Sequence, residues 1–541
     1  MRNSISLRTD YTTYRGYYQL KLPLETEILI PADDPVRLLS AFVEGMDLSE
    51  LYATYDRVRK NQATPRQMLK IMIYASMNNL YSSRDIETAC KRDINFMYLL
   101  EGMPAPDHAT IARFVSLHLS SCSKDLLAEF SNLLYEIGEI SGKTIFIDGT
   151  KIESCANKYT FVWKKAVTKS QAKLIEKIPS FIEECEVMYG IKIVYQETIT
   201  MHTLKRLRKK LYRIKHDEGI TFVKGIGHRK SQLQKSIETL EGYIAKLKEY
   251  TQKLYVCGER NSYAKTDPDA TFMRLKEDAM LNGQLKPAYN LQHGVDAQYI
   301  TWLDISSHPT DVLTLIPFLE EMESYLSFKY TEIVADAGYE SEEAYLFMER
   351  NGQEAYVKPQ NYEISKTRRY RQDVSRRENM DYDSEKDEYI CAQGRRLKAL
   401  YDRRSKNRNG YVSTVTIYEC EDCSSCPYKE KCIRGNNCNT PMEQRKKRLN
   451  VSKVMKQKRQ ETLERITTEY GTLLRMNRSI QAEGSFAVVK EDMNFRRYLY
   501  RGKNNVLAQS TLLALAYNIK KLHFKIQGGR NGQYLTEMKK A

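Results

Sequence analysis

The stretch "TIFIDGTKIES", residues 144–154, decides how the chain is read. An apolar run, Ile145-Phe146-Ile147, leads into Asp148-Gly149, and the alternating piece Lys151-Ile152-Glu153-Ser154 follows. Asp-Gly between two β-prone runs is a strong hairpin signal, because both central residues of a type I′ turn take positive φ. A strand that ends in a carboxylate can also present a metal ligand, provided other carboxylates converge on it. The two readings are compatible: Gly149 turns the chain while Asp148 stays at the strand end.

At 541 residues the chain is too long for one core, and two to four domains are expected. It has no run of about eighteen apolar residues and no apolar signal-peptide core at its start, so a cytoplasmic location away from membranes is expected. Lys and Arg number 85 against 69 Asp and Glu, a formal net charge of +16. That excess favours an anionic partner, and nucleic acid is preferred over a membrane surface. Eleven cysteines in such a chain do not suggest disulfides.

Working outward, "PVRLLSAFVEGM", "TPRQMLKIMIYASM" and "SRDIETACKRDINFMYLL" space apolar residues by three and four, so helices are expected from Pro35 to about Ile140. Thr64-Pro65 is a cap and first-turn pair. Arg84, Lys91, Arg92 and Arg113 on short helices suit a helix-turn-helix DNA reader, with a plain helical bundle as the alternative. After the opening strand, Leu204, Leu207, Leu211 and Ile214, and then Leu233, Ile237, Leu240, Ile244, Leu247 and Leu254, mark a coiled-coil seam between antiparallel helices. β-signals return over Ala288–Val295 and Tyr299–Ile305. A helix, the buried strand Ile333-Val334-Ala335 and another helix follow, which is the order of an α/β sheet with antiparallel first strands.

That buried strand delivers Asp336 to a sheet end with Gly338 just beyond, the same setting as Asp148. A third acid, Glu483, lies on a late helical segment. Lys490, seven residues on, shares its face. Arg496, Arg497, Arg501 and Lys503 follow, interleaved with Tyr498 and Tyr500, which either stack on bases or belong to the core. Asp267, Asp296 and Asp304 rank below these three acids.

The stretches "TIFIDGTKIES", "KTDPDATFMR", "AYNLQHGVD", "VADAGYES" and "IQAEGSFAVVKEDMNFRRYLYRG" together resemble the DDE transposases of bacterial insertion sequences. The nearest kind is the insertion-sequence family numbered eleven eighty-two, with an InsH-like N-terminal domain. The resemblance implies an α/β, RNase H-like mixed-sheet catalytic core with Asp148, Asp336 and Glu483 as a triad for two Mg2+ ions, or Mn2+ in their place. Lys490 is implied beside the triad, and Arg478, Arg496, Arg497, Arg501 and Lys503 on DNA. The implied partners are double-stranded element ends, their terminal inverted repeats, and target DNA. The seam is compatible with a homodimer. An inactive DNA-binding descendant and a hydrolytic nuclease are the rival functions. One departure stands out. In the related Tyr-Arg-Glu-Lys signature three residues separate Arg and Glu. Here that position is Ser479, Arg478 is one residue earlier, and Tyr470 is too far upstream to assign.

Six cysteines fall between Cys391 and Cys438. Cys420, Cys423, Cys426 and Cys432 have C-x2-C-x2-C-x5-C spacing, a structural-zinc signal in which Cys391 or Cys438 is a further candidate ligand. An iron–sulfur cluster is the rival. The expected organisation is a helical DNA-binding domain over 1–140 and a catalytic core over 141–160, 264–370 and 450–525. A coiled-coil helical insertion over 161–263 and a small Cys-rich, basic, metal-binding insertion over 371–449 complete it.

Overall fold

Apolar strands flanked by acids set the architecture. In chain order they are β1 (Thr144–Glu153), β2 (Phe161–Trp163), β3 (Ser262–Ala264), β4 (Thr271–Arg274), β5 (Leu285–Asp296), β6 (Tyr299–Ser306), β7 (Glu332–Ala335) and β8 (Glu354–Val357). This computed structural model describes residues 29–58, 60–195, 199–223, 225, 228–275, 283–407, 410–435 and 440–537. Residues 1–28 and Cys438 lie outside the described residues. β2 and β3 pair with each other, and the remaining strands form a six-stranded mixed sheet in the order β4-β5-β1-β7-β8, with β6 also beside β5. β1 is antiparallel to β5 and parallel to β7, and β7 is parallel to β8.

The expected turn at Asp148-Gly149 does not form. β1 runs unbroken through both residues, and Gly149 has no positive φ. Glycine is there for space: a Cβ at this position would stand 2.4 Å from Gln292 Nε2 and 3.0 Å from Asp311 Oδ1. The two-residue turn with positive φ lies between β5 and β6 instead, at Ala297 (51°) and Gln298 (70°). Neither is glycine, and such φ values are uncommon for other residues. Gln481 Oε1 accepts the Gln298 N–H at 2.8 Å and Lys521 Nζ donates to Gln298 Oε1 at 3.2 Å, which helps hold the turn.

Helices α1 (Pro35–Gly45), α2 (Ser49–Ala53), α3 (Pro65–Met77), α4 (Ser83–Arg92), α5 (Ile94–Leu100), α6 (His108–Arg113) and α7 (Ser120–Glu136) precede the sheet. Thr64 and Gln67 close a capping box on α3, with Pro65 in its first turn. Where a two-helix arm is expected, three helices form: α8 (Lys164–Tyr189), α9 (Met201–Asp217) and α10 (Gln232–Cys257). Leu204, Leu207 and Leu211 meet Leu233, Ile237, Leu240 and Ile244 in one buried cluster, which Leu174, Ile178 and Ile182 of α8 complete. Pro179 inside α8 obscures that helix in the sequence.

Two helices flank the parallel strands, α11 (Leu315–Tyr325) and α12 (Glu342–Arg350). The cysteine-bearing segment contains a separate antiparallel sheet. Its strands are β9 (Asp381–Asp383), β10 (Glu388–Ile390), β11 (Arg396–Lys406), β12 (Val412–Cys420) and β13 (Arg448–Val451), in the order β13-β12-β11-β10-β9. Then come α13 (Lys453–Thr467), α14 (Glu469–Arg478) and the long α15 (Lys503–Gln527). α15 is buried along most of its length and packs on β6, α3 and α7, as an apolar helix must. Its Asn518 takes the Ile300 N–H (2.8 Å) and donates to the Ile300 carbonyl (2.9 Å), so it covers the free edge of β6.

Asp267, a lower-ranked acid, is a fastener. Fully buried, it accepts from Ser154 Oγ (2.5 Å), Tyr289 Oη (2.8 Å) and the Gly502 N–H (3.1 Å). It thus joins the end of β1, β5 and the start of α15. Asp267→Ala leaves three donors without their acceptor and is expected to cost about 3 kcal/mol or more in denaturant unfolding. An unchanged midpoint would refute this role.

Candidate active site

Parallel pairing of β1 with β7 runs from Thr144–Glu332 to Ile147–Ala335 and stops. Asp148 and Asp336 are each the next residue, so they stand side by side where the two strands part. Asp336 occupies the position before the single turn Ala337–Tyr339, with no side-chain bond to it, so its carboxylate is left for the site. Farther along, the buried Glu340 carboxylate takes Arg459 of α13 through two bonds, at 2.7 and 2.8 Å. That pair fixes α13 against the segment that follows Asp336.

Glu483 comes from the other side of the sheet edge. After α14 the chain makes a π turn (Ser479–Glu483), an α turn (Gly484–Ala487) and a second π turn (Val488–Asp492). Buried contacts hold this segment on β5. Phe486 stacks on His293 with ring centroids 4.2 Å apart, and Ser485 Oγ lies 3.1 Å from His293 Nδ1. Ser485 donates its own proton to the Ala482 carbonyl, so His293 Nδ1 is the donor to Ser485. Burial pushes the His293 ring down to about 3, which keeps it neutral.

The three carboxylates meet on Arg478. Its Nη2 lies 2.8 Å from Glu483 Oε1 and 3.9 Å from Asp336 Oδ1, and its Nη1 lies 3.9 Å from Asp148 Oδ2. Ser479 Oγ donates to the other Glu483 oxygen at 3.0 Å. In an α-helix, residues five apart point about 140° away from each other. The π turn, with its i→i+5 bonding, brings Arg478 and Glu483 together despite the extra residue between them. Three acids share one guanidinium whose side chain is only 13 % exposed. Burial pushes the Asp148 carboxyl up to about 6; Arg478 opposes the shift, while Asp336 and Glu483 add to it. A pocket of about 470 Å3 opens beside Glu483, with Lys358, Arg475 and Arg478 in its wall.

Lys490 donates to Thr150 Oγ1 at 2.7 Å. Thr150 is two residues from Asp148 on β1, hence on the same face, a spacing that would have identified it in the sequence. The arginine strip divides. Arg496 is exposed beside Glu491 at 2.6 Å, and Arg501 is exposed. Arg497 donates to the Ser154 and Ala156 carbonyls (3.1 and 3.3 Å), and Lys503 stands 3.7 Å from Asp304. Tyr498 is buried with its hydroxyl against Ser510, so it is a core residue. Asp296 accepts from Ser141 and from the Gly142 N–H near the start of β1, and Asp304 lies 3.3 Å from Lys124; neither joins the Arg478 cluster.

Cys391, Cys420, Cys423 and Cys432 share one apolar cluster with Leu397 and Tyr418, and Cys426 is half-buried. Burial and the neighbouring Cys423 push the Cys420 thiol up to about 12. Among the described residues, no group of three or more His, Cys, Asp or Glu side chains is gathered closely enough to hold a metal ion. In the acid cluster, the Arg478 guanidinium lies between the carboxylates. Its all-oxygen donor set nonetheless suits Mg2+.

Residues 390–523 match the family described as "Transposase DDE domain", and residues 24–117 match "Transposase domain (DUF772)". The first span contains Glu483, Lys490 and the cysteine cluster; Asp148 and Asp336 lie outside both. No curated protein and no solved structure matches the chain.

The raised Asp148 carboxyl makes stability depend on pH. The folded chain holds this proton up to about pH 6, whereas an unfolded carboxylate releases it near 3.8. The folded state therefore binds more protons between those values, and stability falls as pH rises through them. Asp148→Asn carries no charge. In metal-free buffer above about pH 6 it should be more stable than the parent, by at most about 3 kcal/mol, and below about pH 4 it should match it. Thermal melts across this range are the check.

Proposed function

We propose that this chain, a DDE transposase of the insertion-sequence type, cuts element ends and joins them to target DNA with Asp148, Asp336 and Glu483 as its metal-binding triad. The observation that carries the reading is the meeting of three carboxylates, from β1, from the end of β7 and from the late π turn, on the single guanidinium of Arg478. Three negative charges against one positive leave a local deficit of cation. Bound there, two divalent ions, Mg2+ or Mn2+, would activate the attacking oxygen and stabilise the leaving one in an in-line phosphoryl transfer. With divalent ions balancing the carboxylates, Arg478 would be available to a DNA phosphate. Lys490, beside Thr150, neutralises a second phosphate, and the exposed Arg496 and Arg501 extend the phosphate track. Arg497 contributes mainly by fixing the backbone beside it, and Lys503 by standing at Asp304.

The strand order β6-β5-β1-β7-β8 supports an RNase H-like core over 141–160, 264–370 and 450–525. We assign recognition of the terminal inverted repeats to the helices before residue 140. The three-helix insertion is the surface we assign to a homodimer, and the protein is assigned to the cytoplasm. For the Cys-rich segment the reading is structural zinc on Cys420, Cys423, Cys426 and Cys432, with Cys391 or Cys438 as a further ligand; what supports it is their spacing and the shared cluster of Cys391, Cys420, Cys423 and Cys432.

The test uses purified protein, Mg2+ and end-containing DNA. Asp148→Asn is expected to abolish cleavage and leave DNA binding intact; a variant that still cuts would end the triad assignment. Products joined to target DNA separate a transposase from a hydrolytic nuclease. Metal analysis of the same preparation is expected to find zinc, which Cys423→Ser should lower. Equal zinc in parent and variant would exclude the thiol site.

A further inference from the structure

Asp311 opens the short turn Asp311–Leu313 between β6 and α11. Its Oδ1 accepts from Asn290 Nδ2 at 2.7 Å and from Gln292 Nε2 at 3.1 Å. Asn290 and Gln292 are two apart on β5 and share a face. Across the β1–β5 ladder, Gly149 pairs with Gln292 and Asp148 with His293. Paired residues point to the same side. Asp311 therefore lies behind the sheet, on the face opposite Asp148 and the Phe486–His293 stack.

Both oxygens of Asp311 lie close behind glycines of the acid site. Oδ1 is 3.0 Å from where a Cβ on Gly149 would stand, and Oδ2 is 3.3 Å from where a Cβ on Gly338 would stand. Neither glycine has a positive φ, so the space beside each, and not its backbone conformation, is what a side chain there would disturb. Gln292, which holds Asp311, also accepts the hydroxyl of Tyr339, the residue after Gly338. The ladder between β1 and β7 stops at Ile147–Ala335. Past that pair the two strands no longer hold each other, although Asp148 and Asp336 come next.

We propose that Asp311 is a positioning residue: a wedge behind the sheet, shared by the Asp148-Gly149 and Asp336–Gly338 segments, that sets the spacing of the two acids where strand pairing has ended. The proposal rests on the triad reading above. Asp311 faces away from the Arg478 cluster, and its effect reaches bound metal only through the two backbones. Carboxylates around a metal must keep their places to within about 0.5 Å, so loss of the wedge shows as loss of metal affinity.

The experiment is Mn2+ titration by calorimetry on the full chain, with circular dichroism to confirm folding. Asp311→Ala is expected to weaken Mn2+ binding about ten- to hundredfold. Asp311→Asn keeps the oxygen that accepts from Asn290 and Gln292, and should stay within about threefold of the parent. Gly338→Ala adds a methyl group against Oδ2 and should weaken Mn2+ about tenfold in a folded protein. It also serves if Asp311→Ala fails to fold. An Asn variant as weak as Ala would mean that Asp311 acts through its charge, as a ligand, and would overturn the proposal. Parent-like binding in Asp311→Ala or in Gly338→Ala would overturn it too. Asp148→Asn is the control. If it leaves Mn2+ binding unchanged, the triad reading falls and takes this proposal with it. If it abolishes binding while Asp311→Ala does not, the positioning role alone falls.

Discussion

A guanidinium among three carboxylates is the constraint around which this molecule is arranged. Unit charges about 4 Å apart interact by roughly 4 kcal/mol at the effective dielectric of a protein surface. Asp148, Asp336 and Glu483 therefore cannot be crowded together unless a cation stands between them and the backbone resists their separation. Arg478 supplies the cation at 2.8 to 3.9 Å. Burial still raises the Asp148 carboxyl, with Asp336 and Glu483 adding to the shift that Arg478 opposes. Three carboxylates against one guanidinium leave the site short of positive charge, the condition under which divalent ions bind oxygen ligands.

The resistance comes from buried polar contacts at each shoulder. The Glu483 segment is held by the His293–Phe486 stack, by the Ser485–His293 bond and by Gln481, which also satisfies the Gln298 N–H of the β5–β6 turn. The segment after Asp336 is held by the two-bonded Glu340–Arg459 pair. Removing one partner of such buried contacts costs more than the contact is worth, because the other is left without water or mate. The π turns fit this scheme. Each disturbs regular helix bonding, and one of them brings Arg478 over Glu483.

The neighbourhood of Asp148, Asp336 and Glu483 was legible because two of them follow apolar triplets bounded by turn-type residues, which read as buried strands, and because Glu483 lies within an apolar-periodic segment. The geometry around them was harder to read. Asp148-Gly149 carries the strongest hairpin signal in the region, yet its glycine makes room for Gln292 and Asp311, contacts with no local signature. The real turn, Ala297-Gln298, has neither Gly nor Asn. The Arg478 spacing looked like a defect because a π turn adds a residue without changing composition. Helix α8 was hidden by Pro179, and Tyr498 by the arginines beside it, although its ring is in the core. The five-stranded sheet was masked by the cysteines, which drew attention to metal chemistry rather than to the alternation in "TVTIYEC".

The two matched segments, 24–117 and 390–523, leave out most of the sheet, yet in the structure they touch. Asn79 Nδ2 donates to the Asp492 carbonyl at 3.1 Å, and Tyr81 Oη to the Met493 carbonyl at 2.6 Å. Lys520 of α15 reaches back to the Met77 carbonyl at 3.1 Å. Asn79 and Tyr81 lie between α3 and α4, whose last turn carries Lys91 and Arg92. Asp492 and Met493 end the segment that carries Glu483 and Lys490. Direct hydrogen bonds, with no linker between, thus connect the basic N-terminal helices to the helix that supplies the third acid. These bonds set the N-terminal helices against the segment whose Glu483 is the one carboxylate that Arg478 holds at close range, 2.8 Å.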